Sequence, residues 1–332
     1  SIDKQLMPKM PQKNFLIELS NICNHKCVFC FQKSMTRKRG EMSKEFLCKI
    51  LNEAYGSGIR EVGFYTTGEP LLAKNLVFAI KLAKEIGYEY VYITSNGALA
   101  TMDRIVPVIE AGLDSLKFSI NAGDRESYKF VHGVDDFDKV INNLKKIHEY
   151  RKQNNLSFNI YVSFVITRFT MSQVDKFKDE VGKYCDEIVF INVANQGGLN
   201  SEISEYLSVS DNDLSIKSSC KDLPCSLPFN SVTVSYEGFL TSCCVDFQNY
   251  LVIADLNKVS LQEAWHSESF QKFRKKHLEK NVEGSICHNC VTNARSCFSP
   301  LNPEFATLID FEKIYDDNDV KSRIEKYLEA KK

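Results

Sequence analysis

From residue 15 to about residue 193 the chain alternates between short runs whose apolar residues recur at every second position and longer stretches where they recur every three or four. Period two marks strands and a period near 3.6 marks helices. The strand runs are 15–20, 61–66, 90–95, 115–120, 157–166 and 187–193, and the helical stretches include 43–55, 75–86, 101–110, 134–153 and 172–184. Ser43 and Ser172 read as N-caps leading into apolar faces. Six β–α units in succession predict a parallel sheet with right-handed crossovers. Long helices on its outer face bend such a sheet into a partial (β/α)6 TIM-like barrel of the α/β class.

Parallel strands covered on both faces read as continuous apolar runs, and several here do not. Leu116, Phe118 and Ile120 alternate with Ser115, Lys117, Ser119 and Asn121, while Phe158, Ile160, Val162 and Phe164 alternate with Asn159, Tyr161 and Ser163. Glu18 and Ser20 stand opposite Phe15, Ile17 and Leu19 in the same way. The apolar faces suit the helix layer, so the polar faces line the inside. This predicts a polar cavity, unlike the packed interior of a closed eight-stranded barrel.

The rest of the chain has a different character. Runs 229–235 and 239–244 read as a β-hairpin turning at Tyr236-Glu237-Gly238, followed by a helix over about 261–280, a cysteine loop over 287–297 and an amphipathic surface helix in the tail 304–332. Pro224 and Pro228 mark the boundary region. The expected division is an extension over 1–14, a barrel core over 15–200, a linker over 201–224, a small hairpin-plus-helix domain over 225–300 and a helical tail over 301–332.

Composition narrows the function. With 42 basic against 43 acidic residues the chain has no polyanion-binding field, which argues against nucleic acid as a partner. The run Arg37-Lys38-Arg39 reads either as a solvated loop edge or as a contact to an anion at the mouth of a site. No apolar signal segment precedes the first strand and no run approaches the roughly 20 residues that span a bilayer, so a cytoplasmic protein without a membrane partner is expected. Twelve cysteines in a chain of 332 residues exceed what a core of this size needs as staples, which leaves metal ligation.

Two cysteine groups stand out. Cys23, Cys27 and Cys30 form a C-x3-C-x2-C loop directly after the first strand, with Phe29 before the last cysteine. Three thiolates supply three corners of a [4Fe-4S] cube and leave one iron open. A zinc knuckle would need His25 as a fourth ligand. Cys225, Cys243, Cys287 and Cys290, with gaps of 18, 44 and 3, complete either a closed [4Fe-4S] cluster or a four-cysteine zinc site. Cys244 adjoins a ligand on a strand, so it points to the opposite face.

The three-cysteine loop resembles the signature of the radical S-adenosylmethionine (radical SAM) superfamily. Further segments match that family in order along the strand ends. Thr66-Thr67-Gly68-Glu69-Pro70 resembles its Gly-Gly-Glu-Pro turn, with Thr67 replacing a glycine and strained if the position needs positive φ. Thr94-Ser95-Asn96-Gly97 resembles its Thr-x-Asn-Gly segment, and Ser119 and Asn121 match its positions near ribose and carboxylate. The resemblance implies that Thr67, Gly68, Glu69, Ser95, Asn96, Ser119, Asn121 and Ile166 bind S-adenosyl-L-methionine, with Glu69 accepting from its ammonium and Ile166 either stacking on adenine or filling the core. Cys225, Cys243, Cys287 and Cys290 resemble the twitch form of the SPASM domain and its auxiliary [4Fe-4S] cluster.

For activity, the resemblance implies reductive cleavage of S-adenosylmethionine to a 5'-deoxyadenosyl radical that abstracts a hydrogen atom, with the electron supplied by a flavodoxin or ferredoxin-type reductant. The 22 residues ahead of Cys23 are too few for an added peptide-binding module, and a single auxiliary cluster is most similar to the 2-deoxy-scyllo-inosamine dehydrogenase type. The expected substrate is a small sugar or aminocyclitol-like molecule whose alcohol is oxidised, with Arg168 as base or hydroxyl contact. Alternatives are a radical epimerase, in which Cys244, Cys297, Cys220 or Cys185 donates a hydrogen atom, a peptide-modifying maturase, and a non-catalytic Fe-S carrier or sensor.

Overall fold

The computed structural model describes residues 5–209, 222–316 and 319–332. Six strands, β1 (Phe15–Ile17), β2 (Glu61–Gly63), β3 (Tyr90–Ser95), β4 (Ser115–Ser119), β5 (Asn159–Ile166) and β6 (Glu187–Asn192), pair in parallel in sequence order. Around them run α1 (Lys44–Gly56), α2 (Leu76–Ile86), α3 (Met102–Glu110), α4 (Arg125–His132), α5 (Phe137–Gln153) and α6 (Val174–Val181). The full sheet order is β6-β5-β4-β3-β2-β1-β7-β8-β9, so β6 does not return to β1 and the barrel is open.

The alternating pattern sorts the two faces as expected. Phe164 packs edge-on to Phe177 of α6, with ring centroids 4.9 Å apart, and a side chain added at Gly97 would meet Phe118 and Val140 of α5. Ser119 and Ser163, in the other phase, face each other across β4 and β5 at 3.4 Å. The interior is less open than the pattern implies, because Tyr65, Tyr90 and Tyr92 cluster there with centroids 5.6 to 6.0 Å apart.

Several local expectations need correction. Ser43 caps α1 by accepting the Phe46 N–H at 3.1 Å. Ser172 caps nothing: Thr167 and Thr170 close a turn that feeds a 3₁₀ segment, Met171–Gln173, and α6 starts after it. The helix α4 was not expected, although Asp124 caps it through the Ser127 N–H at 2.8 Å and Gly133 ends it at φ 71°. An Asp three residues ahead of a capped amide with glycine after the last turn was a readable signal.

The C-terminal part contains α7 (Ser201–Leu207), α8 (Leu227–Asn230), β7 (Val232–Val234), β8 (Phe239–Thr241), β9 (Val252–Asp255), α9 (Leu261–Trp265), α10 (Glu268–Leu278), α11 (Ile286–Thr292), α12 (Phe311–Asp316) and α13 (Val320–Ala330). The hairpin β7–β8 is present, with Thr233 opposite Thr241, and β9 extends it. It forms no separate sheet, because β7 pairs in parallel with β1, Phe15 opposite Val232. The single helix expected over 261–280 breaks in two, since Ser267 accepts the Phe270 N–H and starts a new helix. The cysteine loop expected over 287–297 begins as helix α11, with Cys287 and Cys290 on it. The N-terminal extension is strapped down by the Trp265 indole on the Pro8 carbonyl at 2.8 Å. Among the described residues no helix is long and apolar enough to cross a membrane.

Candidate radical and iron-sulfur sites

The Cys23–Cys30 loop leaves the C-terminal end of β1 and is held on every side. Its Lys26 and Val28 amides bond to the carbonyls of His132 and Val131 at the end of α4, at 3.0 and 2.8 Å. Arg323 of α13 caps the same carbonyl cluster, donating to Lys26 O at 2.6 Å and Phe130 O at 2.5 Å. Asn200 donates to Phe29 O and Lys33 to the Val28 and Cys30 carbonyls. Sequence reasoning did not anticipate Arg323, which lies 297 residues from Lys26 in the loop it clamps.

Burial pushes the Cys23 thiol up to about 12 and raises Cys27 and Cys30 as well, and neighbouring thiols add to the rise at Cys23 and Cys27. A buried thiolate trio is unfavourable unless cationic metal neutralises it. Two amides point at sulfur, His25 N to Cys23 at 3.5 Å and Gln32 N to Cys30 at 3.4 Å. His25, Cys27 and His132 place ligand atoms within 4.8 Å of one another. The imidazoles are already engaged, since His25 bonds Asp136 and His132 at 3.2 Å each and His132 receives the Asn121 N–H at 3.3 Å. His25 is therefore not a free fourth zinc ligand. Three cysteines with no free fourth protein ligand among the described residues fit an open-cornered cluster.

The next strand ends converge on this loop. Gly68 lies so close to the β1 loop that an added Cβ would sit 2.2 Å from Ser20 O. Thr67 is buried, is not at positive φ and donates its hydroxyl to Glu18, so the strain considered for it is absent. The Glu69 carboxylate, 3% exposed, accepts Ser95 Oγ at 2.7 Å, Asn96 N at 2.8 Å and Leu71 N at 3.1 Å. Burial raises its pKa, while those three donors pull it back. A carboxylate has about four acceptor sites, so one remains for an ammonium. Asn96 Nδ2 reaches Asn24 of the cysteine loop at 2.8 Å.

Asn121 is not free: its Oδ1 accepts Val165 N at 2.8 Å and its Nδ2 meets His132 at 3.3 Å. Ile166 is 3% exposed and shares the strand face of Phe164, so its place is the core. Arg168 is exposed and stacks over Tyr206, its guanidinium carbon 4.2 Å from the ring centroid. It lines an outer cleft with Arg295 and Lys321, and the structure does not bring it to Glu69 or Ser95.

Between the first site and the hairpin lies a narrow polar chamber lined by Glu18, Arg37, Thr66, Thr67, Cys244 and Asp246. Arg37 is no solvated loop edge. It is 4% exposed and donates to both Glu18 oxygens at 2.6 and 2.7 Å and to Asn249 at 2.8 Å. Thr66 Oγ1 is buried there without a hydrogen-bond partner. Burial raises Asp246 above the usual carboxylate range although Thr241, Tyr250 N and Leu251 N all donate to it.

Cys225, Cys243, Cys287 and Cys290 line one small, mostly apolar cavity with Pro228, Leu251 and Phe273. Cys244 is absent from that wall and lines the chamber, which Cys243 also reaches; both cysteines lie past the end of β8, in the turn after Thr241, so the strand alternation expected to part them does not apply. Burial pushes Cys287 up to about 12. The barrel reaches this cavity through the loop after β6: Asn195 donates to Cys290 O at 2.9 Å, and a Cβ on Gly198 would lie 2.7 Å from Cys290 N. His277 also faces it, and its Nε2 is buried without a partner. An orphan donor beside four thiols fits a sulfur-rich cluster. Cys48 is half-buried at the edge of α1, Cys185 is half-buried, Cys297 is exposed, and Cys220 lies outside the described residues.

The Radical SAM superfamily model matches residues 17–181, and an iron-sulfur cluster-binding domain model, SPASM, matches residues 225–291. A probable GTP 3',8-cyclase of Saccharolobus islandicus is 32% identical over 167 residues, covering 50% of this chain and 52% of that protein. The corresponding protein of Sulfurisphaera tokodaii is 30% identical over 193 residues, 57% and 58% of the two chains. The chain thus spans about half the length of these curated relatives. Among solved structures, BtrN in complex with AdoMet and 2-DOIA superposes with a TM-score of 0.56 at 20% identity, over 90% of this chain and 98% of that one. Streptococcus suis SuiB bound to S-adenosylmethionine gives 0.64 at 16%, over 87% and 72%, and anSMEcpe with bound AdoMet gives 0.59 at 17%, over 94% and 98%. These likenesses show the fold. The two domains imply S-adenosylmethionine and [4Fe-4S] clusters as cofactors.

Proposed function

We propose that this chain, which belongs to the radical SAM superfamily and carries a C-terminal iron-sulfur cluster-binding domain, dehydrogenates an alcohol of a small amine-bearing or neutral polyol, an aminocyclitol or sugar. The observation that carries this reading is the position of Cys243, which lines both the four-cysteine cavity and the polar chamber where Glu18, Thr67 and Cys244 meet. Oxidising an alcohol removes two electrons, and a redox centre one side chain behind the chamber wall suits the second of them.

When bound, S-adenosylmethionine with its cluster supplies the hydrogen-atom acceptor, and the second cluster supplies an electron acceptor. Cys23, Cys27 and Cys30 would hold the first, and Cys225, Cys243, Cys287 and Cys290 the second. Glu69, Ser95 and Asn96 orient the cofactor's amino acid end, and Gly68 lets their loop approach β1. The chamber, about 10 Å³, has room for no more than a water, so its residues form a wall beside the substrate rather than its pocket. Through that water Thr66 Oγ1, which has no other partner, reaches a substrate oxygen, and Asp246, made more basic by burial, receives the hydroxyl proton. Its lining carries two carboxylates and one arginine already paired with Glu18, which suits an amine or polyol better than a triphosphate.

Anaerobic incubation with S-adenosylmethionine, dithionite and a panel of aminocyclitols, sugars and GTP tests this. A product two mass units lighter, released with 5'-deoxyadenosine, is expected from an aminocyclitol or sugar. An unchanged mass with solvent deuterium incorporated, lost in Cys244→Ala, would replace dehydrogenation by epimerisation. Turnover of GTP alone would overturn the substrate class.

A further inference from the structure

His277 of α10 is 1% exposed, and its ring forms part of the wall of the four-cysteine cavity. Its Nδ1 faces the backbone N–H of Cys225 at 3.3 Å. An amide can only donate, so Nδ1 accepts, and the proton of the neutral ring must sit on Nε2. That Nε2–H has no partner among the described residues. A buried donor is costly unless an acceptor meets it, and the cavity wall offers four sulfurs and the hydroxyl of Ser242, which is itself buried without a partner. We propose that His277 donates its Nε2–H to a sulfur of the cluster held by Cys225, Cys243, Cys287 and Cys290 and thereby raises that cluster's reduction potential. A donor's partial positive charge stabilises the more negative reduced cluster. The cluster gains one electron, no proton moves and no bond forms or breaks.

An independent set of contacts gives His132 the same role at the first site. Its Nε2 receives the Asn121 N–H at 3.3 Å, which places its proton on Nδ1, and that atom lies 3.6 Å from Cys27 Sγ and 3.2 Å from His25 Nδ1. His25 then accepts at Nδ1 and donates from Nε2 to Asp136 at 3.2 Å. Each link runs from a donor to an acceptor, so the Asp136–His25 pair holds the His132 ring with its N–H shared between His25 and the cysteine. His132 and His277 are positioning residues in this assignment and touch neither substrate nor the reacting atoms.

The inference rests on the reading that both cysteine groups hold clusters. Full-length protein reconstituted under nitrogen is titrated with dithionite while the two reduced-cluster signals are followed by electron paramagnetic resonance. His277→Phe is expected to lower the midpoint of the second cluster alone, and His277→Gln, which keeps an N–H, to restore it in part. His132→Phe is expected to lower the midpoint of the first cluster alone, so each variant is the other's control. Wild-type protein labelled with 15N-histidine gives a readout without substitution, a weak 15N coupling to each reduced cluster. Unmoved midpoints in variants with full iron and sulfide, or no 15N coupling in the wild type, overturn the inference and leave the cluster reading standing. Wild-type protein lacking acid-labile sulfide overturns both.

Discussion

Ser95, at the end of β3, donates its hydroxyl to Glu69, in the loop after β2, at 2.7 Å, and the neighbouring Asn96 amide reaches the other oxygen of the same carboxylate at 2.8 Å. One buried acid thereby ties two successive strand ends into a single rim and keeps a lone pair for a cation. Glu69→Gln retains much of this geometry and removes the charge. S-adenosylmethionine affinity is expected to fall at least tenfold, since a charge-assisted hydrogen bond is worth about 1.5–3 kcal/mol. Equilibrium dialysis on reconstituted protein measures it, and unchanged affinity would remove Glu69 from the site.

Gly68→Ala forces a methyl group to within 2.2 Å of a backbone carbonyl, which no rotamer can relieve. The β1 and β2 loops must separate, at a cost of about 1–3 kcal/mol by analogy with overpacked cores. Chemical denaturation and dialysis together check this: both stability and cofactor affinity drop, whereas Gly56→Ala, where an added Cβ meets nothing within 4 Å, should lower neither.

Arg37→Met leaves the Glu18 carboxylate buried without its cation. Removing one partner of such a pair costs about 3–5 kcal/mol, more than removing both. The double variant Glu18→Met/Arg37→Met should therefore be more stable than Arg37→Met alone, as urea melts of the three proteins would reveal. A double variant no better than the single would mean that the pair is not coupled.

Alanine at Cys23, Cys27 and Cys30 together should reduce iron and sulfide from about eight to about four of each per chain, and alanine at Cys225, Cys243, Cys287 and Cys290 should do the same from the other side. Metal and sulfide analysis decides it. Zinc recovered with the first triple variant would reassign the second site.

Asp186 joins β5 to β6, accepting Ile160 N at 2.7 Å and Arg151 at 2.6 and 3.1 Å. Partial burial raises its pKa, but the Arg151 and Ile160 donors outweigh that and hold it below the usual carboxylate range. A folded-state value below the unfolded one gives stability that is present above about pH 4 and is lost as pH falls through the depressed value. The gap in melting temperature between wild type and Asp186→Asn should shrink over that acid range; a constant gap would mean the charge contributes nothing.

Local periodicity was enough to read the six β–α units, because period two and period 3.6 are properties of neighbouring residues, and β3 falls on the run that the pattern marks. Cysteine spacing likewise picks out both thiol groups that the fold gathers, Cys23, Cys27 and Cys30 on one loop and Cys225, Cys243, Cys287 and Cys290 around one cavity. Helix breaks such as the one at Ser267 escaped the same pattern, since apolar positions on both sides keep the helical period while a single cap restarts the hydrogen bonding.

What the sequence by itself determined is thus the alternating frame, the two sets of thiols and the polar phase of β1, β4 and β5. Tertiary structure alone decided that β7 joins β1, that Arg37 turns inward onto Glu18, that Arg323 clamps the first cysteine loop, and that His132 and His277 each stand beside a cysteine far away in the chain. Those choices depend on which distant surfaces desolvate each other's charges and amides, and no spacing along the chain records that energy.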